Sequence, residues 1–160
     1  IAMRRINGEN ASLWYKPLDN VNVSLSHENT LCINAPHVCN ECLTTNDIAI
    51  INDKGEFRII GRKDNVINSG GIKIQIEEVE DMLREHLHLP FTITYAPDDK
   101  FGQIVVLITE DTNLDAITEI CQRVLPKHWI PKRFICHSVP LTQTNKPDRA
   151  TAKSIASEKQ

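Results

Sequence analysis

The stretch from Gly61 to Glu80 contains three features that could take part in chemistry. It opens with a predicted charged turn at 61–64, continues to the glycine pair Gly70 and Gly71, and ends in the start of a helix. Because glycine has no Cβ, the pair permits positive φ and lets another molecule approach the backbone, as a loop that cradles phosphate must. The same pair also fits an ordinary hairpin turn between two short strands, which the local pattern favours.

Two charged side chains have the chemistry of a nucleotide site. Asp47 follows Thr45 and Asn46 just before a predicted strand, where a short carboxylate can accept hydrogen bonds from both hydroxyls of a ribose. Arg62 offers a permanent cation for ribose or phosphate. Asn and Asp also favour turns, and Arg62 alone would be a surface charge, so the residue types by themselves leave both interpretations open.

The cysteines and histidines are weaker candidates. The five cysteines are odd in number and show no disulfide framework. The spacing of His37, Cys39 and Cys42 suits zinc, and Cys32 or His27 could complete such a site, but a second pair at suitable spacing is missing. We therefore expect no metal, and free cysteines in a reducing compartment. The histidines have no spacing to Asp or Ser that suggests a catalytic triad.

Composition argues against several classes of function. The chain carries a net charge of -3 with a pI near 6.1, which argues against a nucleic-acid partner. No apolar run approaches the roughly 18 residues of a membrane helix, and the N-terminus lacks the basic-then-apolar pattern of a signal peptide. We expect a cytoplasmic globular protein with no membrane span. The opening Ile1-Ala2-Met3 indicates a chain cut from something longer.

Residues 1–60 have the pattern of short strands joined by turns. The clearest signal is a hairpin, because Asp47–Ile51 and Glu56–Ile60 flank the turn sequence at 52–55. The other predicted strands are Ile1–Ile6, Val21–Leu25 and Thr30–Ile33. This all-β part ends at Gly61 without an evident complete core.

From residue 65 the pattern becomes mixed. A helix is predicted at Glu77–His88, ended by Pro90. Its inner face is predicted to hold Val79, Met82, Leu83 and Leu87. The remaining predictions are the hairpin Val66–Ile74, the strands Phe91–Tyr95, Gln103–Thr109 and Arg133–Val139, and the helices Asp115–Leu125 and Pro147–Ser157. The fold class is therefore α+β, in which the end of a β-subdomain precedes a small C-terminal domain with helices packed on a mixed sheet.

Several of these segments form a series of motifs in a fixed order. They are Thr45-Asn46-Asp47, Gly61-Arg62-Lys63-Asp64, Ile67-Asn68-Ser69-Gly70-Gly71, Glu77-Glu78-Val79-Glu80, and the segment Pro140–Arg149. The series resembles that of the adenylate-forming acyl-CoA synthetase superfamily. Asn46 and Asn145 stand where the family has glycine, and Pro147 replaces an aliphatic residue. Asparagine tolerates left-handed backbone, so we expect Asn46 to preserve the glycine geometry. A further motif, Leu125–Pro131, is expected to serve packing alone.

The resemblance implies roles for individual residues. Lys146 would be the catalytic lysine, whose ammonium bridges the substrate carboxylate and the α-phosphate. Asp47 would bind the ribose of ATP, and Arg62 would be a second ATP- or AMP-binding residue. Asp64 would be the hinge about which the C-terminal domain rotates.

The resemblance also implies substrates and domains. Members of the family form an acyl-adenylate from a small carboxylic acid and ATP with Mg2+, releasing pyrophosphate. They then transfer the acyl group to coenzyme A, whose tunnel Gly70 and Gly71 would line. Residues 1–60 would end the large N-terminal domain, 61–64 would be the hinge, and 65–160 the mobile domain. The phosphate loop and acyl pocket would lie in the missing N-terminal domain, which would be the partner of this chain. The chain alone is expected to be inactive.

Within the superfamily, residues 1–5, the loop before Thr45 and residues 65–74 most resemble the o-succinylbenzoate-CoA ligases of menaquinone biosynthesis. Two other functions stay open. One is another carboxylic acid-CoA ligase, or an adenylation domain that loads a carrier protein. The other is a non-enzymatic α+β binding module, for which Lys146 would be dispensable.

Overall fold

The computed structural model describes residues 1–158 and divides the chain into two compact units, Ile1–Asp64 and the part from Asn65 onward. Within the described residues no helix is long and apolar enough to cross a membrane.

The first unit is built from strands. Its main sheet has four antiparallel strands in the order β3-β4-β5-β6, and β1 pairs with β2 separately. The predicted hairpin is confirmed, since Ile51 pairs with Phe57 and Asn52 Oδ1 accepts hydrogen bonds from the Lys54 and Glu56 amides. The strands are β1 Ala2–Met3, β2 Lys16–Pro17, β3 Asn22–Leu25, β4 Thr30–Asn34, β5 Leu43–Ile51 and β6 Phe57–Arg62.

The core of the first unit is small. Leu31, Ala49 and Phe57 are buried, and the ring of Tyr15 stacks on that of Phe57 with centroids 5.4 Å apart. The strands alternate, so that Ile50 and Ile59 point away from this cluster and are exposed.

Two sequence predictions for this unit are wrong in extent. Gly61 and Arg62 do not form a turn, because they continue β6 and pair with Ile48 and Asp47 of β5. The turn is a single 3-10 turn at Lys63–Asn65. The predicted strand Ile1–Ile6 is reduced to the two residues of β1.

The second unit has a mixed five-stranded sheet centred on β10. Strand β9 runs antiparallel to β10 along its whole length, β11 runs parallel to its second half, and β7 pairs with it at Gly102. The elements are β7 Val66–Ser69, β8 Ile72–Gln75, α1 Ile76–Leu83, β9 Phe91–Asp98, β10 Gly102–Thr109, α2 Leu114–Val124, β11 Arg133–Cys136 and α3 Arg149–Glu158. The predicted arrangement of helices on a mixed sheet is confirmed.

Strand β10 is buried on both of its faces. Val105 and Leu107 pack into the cluster that contains the inner faces of α1 and α2. Ile104, Val106 and Ile108 point the other way and pack on Ala152 and Ala156 of α3. A strand covered on both faces reads as a continuous apolar run, which is the pattern of residues 104–108.

Helix α1 is shorter than predicted. It ends at Leu83, because the Leu83 carbonyl accepts hydrogen bonds from the His86 and Leu87 amides and closes the helix with a turn. Pro90 is therefore not its terminator. The predicted inner position Met82 is 38% exposed, and Glu80 is buried instead.

Cys121 provides a test of how α2 packs. Its side chain is fully buried, and burial raises the pKa of its thiol to about 11. Because the thiolate is the reactive form, we expect iodoacetamide at about pH 8, near the ordinary thiol pKa, to spare Cys121 in the folded chain. The exposed Cys39, Cys42 and Cys136 should react. Peptide mass spectrometry reads out each site, with the denatured chain as the control. Equal labelling of Cys121 in the folded chain would contradict the packing.

Candidate functional site

Strand pairing in the first unit brings two predicted nucleotide-binding residues side by side. Asp47 of β5 lies opposite Arg62 at the end of β6. Arg62 Nη1 is 3.7 Å from Asp47 Oδ1, a loose ion pair. The Arg62 and Asp47 side chains remain 52% and 31% exposed, so both a carboxylate and a guanidinium are accessible to a ligand.

The carboxylate of Asp64 joins the same cluster. Its Oδ2 accepts hydrogen bonds from Arg62 Nη2 and Asn46 Nδ2, each at 3.2 Å. Asn46 lies within β5 and does not have a positive φ, so the expectation that it would adopt the left-handed conformation is wrong. Its side chain instead supplies a hydrogen-bond donor that glycine lacks.

Thr45 fixes the backbone that carries Asp47. The Thr45 hydroxyl donates to the Leu31 carbonyl on β4 at 3.0 Å and accepts from the Asp47 amide at 3.1 Å. These two bonds tie the start of the polar cluster to the neighbouring strand. The order Thr-x-Asp therefore has a local structural basis.

The glycine pair forms the turn between β7 and β8, as the local pattern favours. Gly70 and Gly71 have φ of 59° and 85°, and two consecutive positive φ angles are what a two-residue type I′ turn requires. The Gly70 amide donates to the Phe101 carbonyl at 2.8 Å, and a Cβ on Gly70 would lie 3.1 Å from the Phe101 ring. A Cβ on Gly71 would meet no atom of the described residues within 4 Å. The positive φ and the close Phe101 ring both favour glycine at position 70.

A cleft of about 370 Å³ opens beside this turn. Lys132 Nζ lies 4.1 Å from the centre of the Phe101 ring, and Lys100 Nζ lies 5.4 Å from it. Lysine cations at the mouth of a cleft suit a ligand that carries phosphate groups. The lining residues are Ser69, Gly70, Ile72, Phe101, Lys127, His128 and Lys132.

The sequence analysis missed this cleft. The segment Leu125–Pro131 was expected to serve packing alone, and Trp129 does pack against the core. Its neighbours Lys127 and His128, however, line the cleft. The available signal was the set of basic residues in the connection between α2 and β11.

Lys146, the predicted catalytic residue, lies on a tight loop before α3. An isolated antiparallel bridge joins Leu141 to Pro147. The Thr142 amide donates to the Lys146 carbonyl at 2.7 Å, and the Lys146 amide donates to Thr142 Oγ1 at 3.2 Å. Asn145 has φ of 59°, so here asparagine does adopt the left-handed conformation that glycine adopts easily. The loop presents an exposed Lys146 side chain.

The end of this loop is fastened to the start of α3. The Asp148 amide donates to the Pro140 carbonyl at 2.9 Å. Asp148 Oδ1 accepts from the amides of Ala150 and Thr151, each at 3.1 Å, and so caps the helix. The hydroxyl and amide of Thr151, together with the Ala150 amide, hold the pKa of Asp148 below its ordinary value.

A buried ion pair that the sequence analysis did not identify holds the first turn of α3. Arg149 Nη1 and Nη2 lie 2.6 and 2.7 Å from Glu80 Oε1 and Oε2, a bidentate contact. Glu80 Oε1 also accepts from the Thr92 hydroxyl at 3.0 Å and the Ile93 amide at 2.9 Å. Burial lowers the pKa of Arg149, but the hydrogen bonding and charge of Glu80, with the charge of Glu77, outweigh it and raise the pKa overall. Each partner belongs to a sequence motif, which was the available signal.

The predicted site residues thus fall into separate groups. Asp47, Arg62 and Asp64 form one polar cluster in the first unit. The glycine pair and Lys146 lie in two different loops of the second unit. Among residues 1–158, no group of three His, Cys, Asp or Glu side chains could hold a metal ion.

Comparison with known proteins found related ligases, although no model of a protein family matches the chain. A probable CoA ligase from Humulus lupulus is 32% identical over 112 residues, which cover 66% of this chain and 21% of the relative. A 2-succinylbenzoate-CoA ligase from Listeria monocytogenes is 31% identical over 114 residues, which cover 68% of this chain and 24% of the relative. The chain therefore spans only about a fifth to a quarter of the length of these relatives.

A solved structure supports the fold. The o-succinylbenzoate CoA synthetase (MenE) from Bacillus subtilis, in complex with the acyl-adenylate intermediate OSB-AMP, matches with a TM-score of 0.73. The match is 21% identical in sequence and covers 86% of this chain and 34% of that one. The likeness at this identity shows that the two share a fold.

The backbone of Asn145 can be tested by substitution. A left-handed residue with a Cβ costs about 1–2 kcal/mol, a factor of roughly 5–30 in an equilibrium. We therefore expect Asn145→Ala to speed hydrogen exchange at the Thr142 and Lys146 amides by that factor, and Asn145→Gly to leave it nearly unchanged. Exchange measured by NMR at single residues separates the two. Equal acceleration in both variants would show that the Asn145 side chain, rather than its φ, holds the loop.

Proposed function

This chain belongs to the superfamily of adenylate-forming acyl-CoA synthetases, whose C-terminal portion it matches, and on that premise we propose that it is part of an ATP-dependent acid-CoA ligase. The ligase first forms an acyl-adenylate from a carboxylic acid and ATP, and then a thioester with coenzyme A. Residues 1–60 complete the large domain, 61–64 act as the hinge, and the remainder is the mobile domain. We also propose a cytoplasmic location, where ATP and coenzyme A are both present.

The observation that carries the proposal is the pairing of Asp47 with Arg62 across β5 and β6. Asp47 presents an accessible carboxylate, which is suited to accept hydrogen bonds from two vicinal ribose hydroxyls. Arg62 presents donors that remain charged at every physiological pH. Together they offer an acceptor and a cation on one sheet, which are the groups needed to hold the ribose and phosphate of ATP or AMP.

Lys146 contributes electrostatic catalysis. Negative charge moves toward the pyrophosphate leaving group as the substrate carboxylate attacks the α-phosphate. A compact ammonium beside both groups stabilises that charge without forming a bond. Mg2+ is expected to arrive with the phosphates of ATP, because the described residues bring together no three ligands for it.

The second unit also supports the thioester step. After rotation about Asp64, the turn at Gly70 and Gly71 lines the path of the pantetheine thiol, where the open side of Gly71 leaves room. The basic cleft beside it receives the phosphorylated nucleotide of coenzyme A, with Lys132 and His128 as its polar groups. Rotation of the second unit thereby moves the lysine loop away from the reaction site and brings the glycine turn to it.

We propose o-succinylbenzoate as the acid, for conversion to o-succinylbenzoyl-CoA in menaquinone biosynthesis. A relative at 31% identity carries the name 2-succinylbenzoate-CoA ligase, which supports this choice. The pocket that would recognise the acid is expected in the large domain.

Substitution of Lys146 tests the proposed reaction in the full-length protein. We expect Lys146→Ala to slow adenylation about 100- to 1,000-fold, as loss of a charge-stabilising donor does in other enzymes. Thioester formation from supplied acyl-adenylate should persist, because that step does not use the lysine. Pyrophosphate release and thioester formation are measured with ATP, Mg2+ and a panel of acids that includes o-succinylbenzoate.

Two controls sharpen this experiment. Lys54→Ala alters an exposed lysine in a hairpin turn and should keep full activity. The 160-residue chain alone should release no pyrophosphate, since it lacks the large domain. Unimpaired adenylation in Lys146→Ala, or turnover by the short chain, would refute the proposal. Selective turnover of another acid would refute the substrate but keep the reaction.

The cleft makes a separate prediction. Removal of one charge-assisted contact costs about 1.5–3 kcal/mol, so we expect Lys132→Gln to raise the KM for coenzyme A about tenfold or more. The KM for ATP and the rate of adenylation should not change. Lys54→Gln is the matched control. An unchanged KM for coenzyme A would exclude the cleft as the nucleotide site.

A further inference from the structure

Arg149 and Glu80 are well suited to control where Lys146 lies. Arg149 opens α3 and follows Lys146 by only two intervening residues. Both of its terminal nitrogens bind Glu80, so the guanidinium is fixed in position and in orientation. A bidentate contact of this kind sets geometry as well as strength.

The partners of Arg149 are themselves buried. Glu80 lies on the buried side of α1 and is 10% exposed as a side chain. Thr92 is fully buried in β9, and its hydroxyl bonds to both charged groups, at 3.0 Å from Glu80 Oε1 and 2.9 Å from Arg149 Nη1. The Ile93 carbonyl accepts a further bond from Arg149 at 3.1 Å. These bonds therefore fix the position of the first turn of α3 relative to the sheet.

A short chain of hydrogen bonds connects this anchor to Lys146. Asp148, the residue before Arg149, caps α3 and donates its amide to the Pro140 carbonyl. That bond and the bond from the Thr142 amide to the Lys146 carbonyl flank the bridge between Leu141 and Pro147, which closes the loop. The Lys146 backbone is then bonded through both its amide and its carbonyl to Thr142. Hydrogen-bonded residues therefore lead without interruption from the ion pair to the lysine.

We propose that Arg149 and Glu80 are positioning residues for the adenylation step, which set the place of Lys146 through the first turn of α3. This inference rests on the proposed function, since it assigns a purpose to the pair only if Lys146 acts in adenylation. The pair does not touch substrate. It acts through the lysine loop, and the thioester step, which uses the glycine turn, does not need it.

The test compares the two half-reactions in the full-length protein. A displacement of about 1 Å in a catalytic group can cost on the order of 100-fold, so we expect Arg149→Gln and Glu80→Gln each to slow adenylation about 10- to 100-fold. The KM for ATP should change little, and the thioester rate from supplied acyl-adenylate should be kept. Arg149→Lys retains the positive charge but cannot make the bidentate contact with Glu80. It should therefore adenylate faster than Arg149→Gln but more slowly than the wild type. The double variant should be no slower than either single one.

Arg133→Gln is the matched control, because Arg133 also contacts α3 but bonds the Ala156 carbonyl near its far end. It should leave both half-reactions unchanged. Parallel loss of both half-reactions in Arg149→Gln would mean a merely structural role and would overturn the inference. So would an adenylation rate equal to that of the wild type. If circular dichroism shows that Arg149→Gln does not fold, the adenylation and thioester rates of Arg149→Lys are compared instead.

Lys146→Ala is measured alongside to separate the two proposals. If it keeps full adenylation activity, the proposed function fails. If it loses adenylation while Arg149→Gln and Glu80→Gln do not, the proposed function stands and only the positioning role is overturned.

Discussion

The second unit depends on the contact between Glu80 and Arg149. It joins α1, β9 and α3, which are far apart in the chain, and it does so at the edge strand of the sheet. Helices α1 and α3 pack into different core clusters, so apolar burial alone does not fix one against the other. Glu80 is buried and Arg149 is partly buried, so removal of Arg149 leaves the carboxylate without compensation and costs up to about 3–5 kcal/mol. That is far more than an exposed ion pair such as Arg84 with Asp81 contributes.

Local signals predicted much of the fold, and long-range pairing explains most of what they missed. The turn at 52–55 and the apolar run at 104–108 identify a hairpin and a central strand without further information. Strand β6 extends through Gly61 and Arg62 because these residues pair with β5. Glycine locally favours a turn, so the sequence around Gly61 did not predict the extension. Burial of Glu80 was also missed, since its partner lies 69 residues away. The basic cleft draws on three separate segments and leaves no contiguous pattern.

Two asparagines stand where the family motifs have glycine, and their backbone conformations differ. The effect of such a substitution can therefore be interpreted only when the φ angle of the residue is known. Asn145 adopts left-handed φ and keeps its turn closed. Asn46 stays in an extended strand and uses its side chain to bind Asp64. The same substitution therefore preserves a shape at one site and adds a contact at the other. From the residue type alone, the two cases are indistinguishable.

The lysine loop also has a thermodynamic consequence. Fixing one backbone residue costs about 1–2 kcal/mol of conformational entropy, and a glycine-rich loop incurs that cost whenever it closes on a ligand. Here Pro147 restricts its own φ, Asn145 already occupies its left-handed well, and Thr142 holds the Lys146 backbone at both polar groups. Most of the ordering has therefore taken place during folding. If Lys146 binds an anion as proposed, the dihedral angles of its side chain are what remains to be fixed at that step.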